Sequence, residues 1–367
     1  MKKHFCLTLL VPALTKFVLV FIVSQYASAN VFEEAQLAAQ SGRYDDVVTT
    51  LTGAIEMNEL QPTELVVAYS NRGIAYSLLK AYAMAEADFL RALEINPQYE
   101  LALNHLGILA EHVHKDYRKA RAWYKKASDL GFPGSQVNLA NLYRLGRGSS
   151  VDYSAAFDLY QLAAEQQYTL AFVPIGIMYM EGLGVARSYS EGLHWLEKGK
   201  SEGIIDANYY LGTAYVNGTG VQRDYKTASG LYHIAAIQGH GKAQNALGYL
   251  HRQGLGTIQD YVEAAKWYQL AADQGVTKAM NRLAWLMATC PVQEICDGPG
   301  AVKMALKAVS QDDSPVNLDT LAAAYARAGE FDKATETIRN IAPSSDGNPS
   351  RYARRLGLYQ QGLPYQL

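Results

Sequence analysis

The stretch ANYYLGTAYVNGTGVQRDYKTASGLYHIAAIQGHGK, residues 207–242, decides the architecture. Ala207, Leu211, Ala214 and Tyr215 fall at helical spacing, which predicts a helix with one apolar stripe. Gly212 stands beside Leu211, where a missing side chain admits a neighbouring helix. Gly218-Thr219-Gly220 stops the helix, because glycine takes the left-handed cap conformation without a Cβ penalty. A second helix is predicted from Asp224, with Tyr225, Ala228, Leu231, Tyr232 and Ala235 as its stripe and Gly239 at its end. Two such short helices cannot bury both stripes alone. Stacked on the next pair they can, at roughly 1.5–3 kcal/mol for each large apolar side chain buried.

The stretch is one copy of several. Tyr153, Tyr189, Tyr225 and Tyr261 are each 36 residues apart, as are Gly146, Gly182, Gly218 and Gly254. Gly148, Gly184, Gly220 and Gly256 keep the step, with Ala171, Ala207, Ala243, Ala279 and Gly203, Gly239, Gly275. So do Ile175-Gly176, Leu211-Gly212 and Leu247-Gly248, with Leu139-Ala140 and Leu283-Ala284 as variants. The order Ala-x-x-x-Leu-Gly-x-x-Tyr-x-x-Gly-x-Gly-Val, Asp-Tyr-x-x-Ala, Ala-Ala-x-x-Gly resembles the Sel-like repeat, a relative of the tetratricopeptide repeat. It covers four units over about residues 134–278. The resemblance implies an all-α fold, a right-handed α-solenoid of antiparallel helix pairs, and a role as a non-enzymatic protein-interaction scaffold.

Ala68-Tyr69-Ser70-Asn71-Arg72-Gly73-Ile74-Ala75-Tyr76 and Ala92-Leu93-Glu94-Ile95-Asn96-Pro97 resemble the ends of an ordinary tetratricopeptide repeat. Two such units are expected over 30–97, the first with Gly42-Arg43-Tyr44 at its turn. The unit at 98–133 is a hybrid: Tyr117 keeps the 36-residue step to Tyr153, but Gly107 lies only 33 before Ala140. Its turn is three residues short, with His112-Val113-His114 in place of the glycine stop. Residues 279–342, with Leu318–Ala326 and the turn Gly329-Glu330-Phe331, resemble a carboxy-terminal module of bacterial repeat proteins. A linker at 343–349 and a capping helix with a short tail complete 343–367.

Residues 1–29 read as a secretory signal: Lys2 and Lys3, apolar runs at 5–14 and 17–23, and Ala27-Ser28-Ala29 before a cleavage point at Asn30. Pro12 and Lys16 break the run below the roughly 18–20 residues of a spanning helix. The alternative is an uncleaved anchor. The expected location is the periplasm, with no membrane span in the mature chain. Cys290 and Cys296 then remain, six apart. In an oxidising compartment such a pair favours a local disulfide. Two free thiols or a metal site are the alternatives, and a buried cysteine packing at a helix end is the plainest one.

The balance of 33 basic and 35 acidic residues argues against a nucleic-acid binder that neutralises phosphates, and 49% hydrophobic residues against disorder. The Gly-x-Gly elements end helices rather than follow strands, so they are caps and not phosphate loops. Ser77-Leu78-Leu79-Lys80 has the Ser-x-x-Lys spacing of penicillin-recognising enzymes, but its companion motifs are missing. His105, His112 and His114 lack a placed acid or further ligand. No catalytic residue, metal or cofactor is expected.

In superhelices of this kind the first helices line the concave surface. Removing the core positions leaves Asn138, Asn141, Arg144, Tyr209, Tyr210, Asn245, Tyr249, Arg252 and Arg282 as a polar-aromatic set for a peptide or glycan-bearing partner. The plain alternative is a solvated face. The favoured function is a scaffold in the bacterial envelope, serving assembly of an envelope or polysaccharide-export complex or regulating a cell-wall enzyme. A penicillin-binding or β-lactamase-like hydrolase and a lumenal adaptor of a secretory pathway are the alternatives.

Overall fold

The computed structural model describes residues 29–58, 60–341 and 349–367. The expected signal at 1–29 and linker at 343–349 lie, but for their last residues, outside the described residues. Among the described residues the fold is an all-α repeat solenoid of nineteen α-helices, with no strand and no helix long and apolar enough to cross a membrane. The chain divides into two compact units after Arg187.

The first unit contains α1 (Ala29–Gln40), α2 (Tyr44–Glu56), α3 (Pro62–Leu78), α4 (Tyr82–Ile95), α5 (Glu100–Ile108), α6 (Tyr117–Asp129), α7 (Pro133–Leu145), α8 (Tyr153–Glu165) and α9 (Phe172–Glu181). The second contains α10 (Tyr189–Ser201), α11 (Ile205–Asn217), α12 (Tyr225–Ile237), α13 (Gly241–Gln253), α14 (Tyr261–Asp273), α15 (Thr277–Thr289), α16 (Gly298–Gln311), α17 (Pro315–Arg327), α18 (Phe331–Asn340) and α19 (Pro349–Gln360). Within each unit successive helices pack as hairpins, each hairpin covering the next.

The periodic residues punctuate these helices. Gly146, Gly182, Gly218 and Gly254 take left-handed conformations, φ 65–71°, at the ends of α7, α9, α11 and α13. The aspartate of each Asp-Tyr pair is a helix N-cap. Asp152 accepts the Ala155 N–H at 3.0 Å, Asp224 that of Thr227 at 3.1 Å and Asp260 that of Glu263 at 2.8 Å. Each cap contributes about 1 kcal/mol.

The second glycine of each Gly-x-Gly has a different task from the helix stop the sequence suggests. A Cβ on Gly148 would stand 2.6 Å from the Tyr117 carbonyl oxygen, and one on Gly184 2.2 Å from that of Tyr153. Gly256 meets the backbone of Tyr225 in the same way. This glycine lets the turn rest directly on the first residue of the preceding repeat's second helix. At Gly220 the neighbour is instead the Tyr189 Cβ, at 2.6 Å. Tyr153, Tyr189 and Tyr225 thus each seat the next repeat's turn; the first two are exposed, and Tyr225 is half-buried against the core.

The core aromatics are another set, Tyr124, Tyr160, Tyr232 and Tyr268, all buried on second helices. Gly107, Gly212 and Gly248 make room for them; a Cβ there would lie 2.4 Å, 2.7 Å and 2.8 Å from the rings of Tyr124, Tyr232 and Tyr268. The helix that Gly212 admits is thus its own hairpin partner. Around the rings the stack is closed by alanines with no exposed surface, among them Ala207, Ala228, Ala243, Ala264 and Ala279. Small residues keep neighbouring helices near while the tyrosines fill the space between them.

The hybrid unit solves its short turn without glycine. α5 runs into a π-helical turn at Leu109–Val113, and Lys115 takes the left-handed conformation, φ 56°. Glu111 is drawn inside, accepting from the Tyr124 hydroxyl at 3.1 Å and from Arg147 at 3.3 Å. The three histidines separate: His112 lies beside Glu111, His114 beside Glu86, and His105 is buried with its ring stacked on Phe89 at 5.2 Å.

Burial pushes the His105 pKa down to about 3. The folded chain therefore holds it neutral, whereas the unfolded chain protonates it below about pH 6.5. Stability from this residue is complete above that value and falls as pH drops toward the folded value. About 2 kcal/mol should be lost between pH 7.5 and pH 5. Denaturant titrations at the two pH values should show this loss for the unaltered chain and a shallower one for His105→Phe.

Candidate partner-binding face

In the second unit α11, α13 and α15 are first helices of successive hairpins, and their register sets the face. Tyr210 and Arg282 occupy the same repeat position two periods apart, and Thr213, Tyr249 and Trp285 occupy another. Tyr209 packs edge-on to Tyr210 at 5.1 Å and stacks on His240 at 4.8 Å. His240 is fixed in turn: it caps α13 through the Ala243 N–H and approaches Asp206 at 3.2 Å. Arg282 donates to the Asn245 side-chain oxygen at 3.1 Å and lies over the Tyr249 ring at 5.0 Å and the Tyr268 ring at 6.0 Å. Asn245, Tyr249 and Arg282 therefore form one connected group. Arg252 joins its edge, close enough to Tyr268 to act on that hydroxyl's ionisation.

The buried tyrosines aim their hydroxyls at the first helix or turn of their own hairpin, and in two of them the partner holds the same repeat position. Tyr160 donates to Asn141 at 2.7 Å, and Tyr232 shares a 3.1 Å hydrogen bond with Thr213. Tyr124 uses Glu111. Tyr268 differs: the position equivalent to Asn141 and Thr213 is Tyr249, and the Tyr268 hydroxyl is buried with no hydrogen-bond partner. Burial pushes its pKa up to about 12, while Arg282 and Arg252 pull the other way. The sequence marks neither this hydroxyl nor Trp285 as part of the face, although the step from Tyr249 to Trp285 is again 36.

In the first unit Asn138, Asn141 and Arg144 lie together on α7, half-buried and already engaged. Asn138 donates to Asn104 at 3.1 Å, and Arg144 reaches the Tyr160 hydroxyl and the Asn141 oxygen, both at 3.3 Å. Here the polar groups of the face close the tyrosine hydrogen bond themselves. The Cys290 and Cys296 sulfurs lie 2.08 Å apart, just beyond α15. Among the described residues no group of three or more histidine, cysteine, aspartate or glutamate side chains could hold a metal ion.

A hairpin period, glycine caps and a small-residue core are the marks of one repeat class, and the sequence profile of the Sel1 repeat matches residues 98–132, 133–168, 170–204, 205–240 and 241–276. That of the tetratricopeptide repeat matches 66–99. The chain is a Sel1 and tetratricopeptide repeat protein. The Sel1 match takes in the hybrid unit, whose second helix keeps the register despite its shortened turn.

Two solved structures share the arrangement. One is a protective antigen of uropathogenic Escherichia coli strains displaying an SLR fold, 26% identical, with a TM-score of 0.58 over 90% of this chain and 76% of that one. The other is a Sel1 repeat protein from Oxalobacter formigenes, 27% identical, also with a TM-score of 0.58, over 65% of this chain and 96% of that one. Among curated proteins, heat shock protein STI1 of Saccharomyces cerevisiae is 34% identical over 99 residues. That match spans 27% of this chain and only 16% of the yeast protein. Proteins built from Sel1 and tetratricopeptide repeats are protein-interaction scaffolds, typically without catalytic activity.

Proposed function

We propose that this chain is a non-enzymatic scaffold of the bacterial cell envelope, exported to the periplasm, which holds a peptide segment of a protein partner on α11, α13 and α15. Its service is to the assembly of an envelope complex or the control of a cell-wall enzyme. The observation that carries the binding site is the Tyr268 hydroxyl, buried without a partner beside Tyr249, Arg252 and Arg282. A buried hydroxyl left unpaired costs about 1–3 kcal/mol. A partner's carbonyl or carboxylate placed between the two arginines would remove that cost. The signal-like residues 1–29 and the Cys290–Cys296 bond support export, since such bonds persist in oxidising compartments.

The test is cross-linking in the native envelope with mass spectrometry, followed by capture of the identified partner by purified variants. Tyr210→Ala/Tyr249→Ala/Arg252→Ala should abolish capture with the fold retained. Tyr268→Phe should keep or raise stability, because it removes an unpaired group, yet weaken capture about tenfold. Tyr232→Phe, which loses a made hydrogen bond, should cost about 1 kcal/mol of stability and leave capture unchanged. Capture that survives the triple variant would refute the site, and recovery of the chain from the cytoplasm alone would refute export.

A further inference from the structure

Residues 363–367, after α19, carry no regular secondary structure and turn back onto the ends of α15 and α17. The Leu367 N–H donates to the Thr289 carbonyl at 3.3 Å, and the Tyr365 carbonyl accepts from Arg327 at 3.5 Å. Arg327 is anchored by its Nε on the Ala288 carbonyl at 2.7 Å, so one guanidinium joins the end of α15 to the segment. The Tyr365 ring lies 5.8 Å from Trp285. The Arg355 guanidinium stacks on both, 4.5 Å from the Trp285 ring and 4.6 Å from that of Tyr365, and is itself paired with buried Asp319.

This is a built slot with a loosely held occupant. Its walls are part of the core: Arg355 and Asp319 are buried, and Thr289 has no exposed surface. The occupant is not. Leu363 and Leu367 remain 48% and 53% exposed, and only the Tyr365 ring is committed to the slot. Two of its contacts are to main-chain groups, which a segment of any sequence offers. The aromatic slot supplies the selectivity, through stacking on tryptophan and a guanidinium.

We propose that this slot is a recognition site for an extended peptide with an aromatic residue two positions before an apolar one, and that residues 363–367 occupy it in the resting chain. A partner peptide binds by displacing them. The slot shares Trp285 with the α11–α15 face but uses neither Tyr268 nor Arg252, so the variants that test the two proposals are different.

The probe is a fluorescent synthetic peptide with the sequence of residues 361–367, followed by anisotropy. In the full chain, Tyr365→Ala/Leu367→Pro empties the slot: it removes the ring and the N–H that reaches Thr289. The probe should bind this variant at least tenfold more tightly than the unaltered chain. Adding Arg327→Ala should abolish the gain, and so should replacing the probe's tyrosine by alanine. Equal affinity for opened and unaltered chains would overturn the proposal, as would a gain that survives Arg327→Ala. A second measurement needs no variant. Amide exchange at Leu367, whose N–H is bonded to Thr289 in the unaltered chain, should accelerate about tenfold under saturating probe, and an unchanged rate would overturn displacement. A doubled mass that halves on adding probe would place a second copy's segment in the slot and overturn the resting arrangement.

Discussion

Gly256→Ala should lower the stability of the 188–367 unit by about 3 kcal/mol or more, while Gly275→Ala in the same unit should cost only about 1–2 kcal/mol. Both residues have positive φ, 66° and 84°, so each alanine bears a similar backbone penalty. They differ in surroundings. The added Cβ at Gly275 meets nothing within 4 Å, but at Gly256 it would stand 2.2 Å from the Tyr225 carbonyl carbon. That neighbour is backbone at the start of α12 and cannot swing aside. Urea midpoints of the two variants measure the difference. Equal losses would show that the second glycine merely stops a helix and that repeats do not rest on it.

Asp88→Ala should destabilise the 29–187 region by about 3–5 kcal/mol. Arg72 donates through Nε and Nη2 to the two Asp88 oxygens, each at 2.8 Å, and through Nη1 to Thr52 at 3.0 Å. The guanidinium also faces the rings of Tyr69 and Tyr76. The two side chains are only 13% and 7% exposed. The hydrogen bond with Asp88 raises the Arg72 pKa further, so loss of the carboxylate strands a buried cation instead of neutralising it. Arg72→Met/Asp88→Leu, which removes both charges, should be far milder than the single change. Chemical denaturation of the three proteins decides it; a single variant no worse than the double would mean that water reaches the guanidinium.

The fold was legible because a stacked solenoid repeats its environment. Every residue at Gly146, Gly182, Gly218 and Gly254 meets the same local demand for a left-handed cap, and that demand is written at a fixed interval. Subtraction of core positions singled out Tyr249 and Arg282, which the fold brings into contact. Subtraction is blind to how polar groups pair. Asn141 and Arg144 look as free in the sequence as Arg252, yet both close the hydrogen bond of Tyr160. The periodic tyrosines keep their interval for two reasons: Tyr153, Tyr189 and Tyr225 each seat a glycine of the next turn, and the Tyr225 ring also packs against the core.

Helix class, period, caps and small-residue stripes can be read off the chain, because they depend on neighbours within one turn or one repeat. Tertiary structure alone decided which tyrosines are core, why each turn needs two glycines, which hydroxyl lacks a partner, and where residues 363–367 come to rest. These depend on which atoms of different helices meet, and no preference within a single helix encodes them.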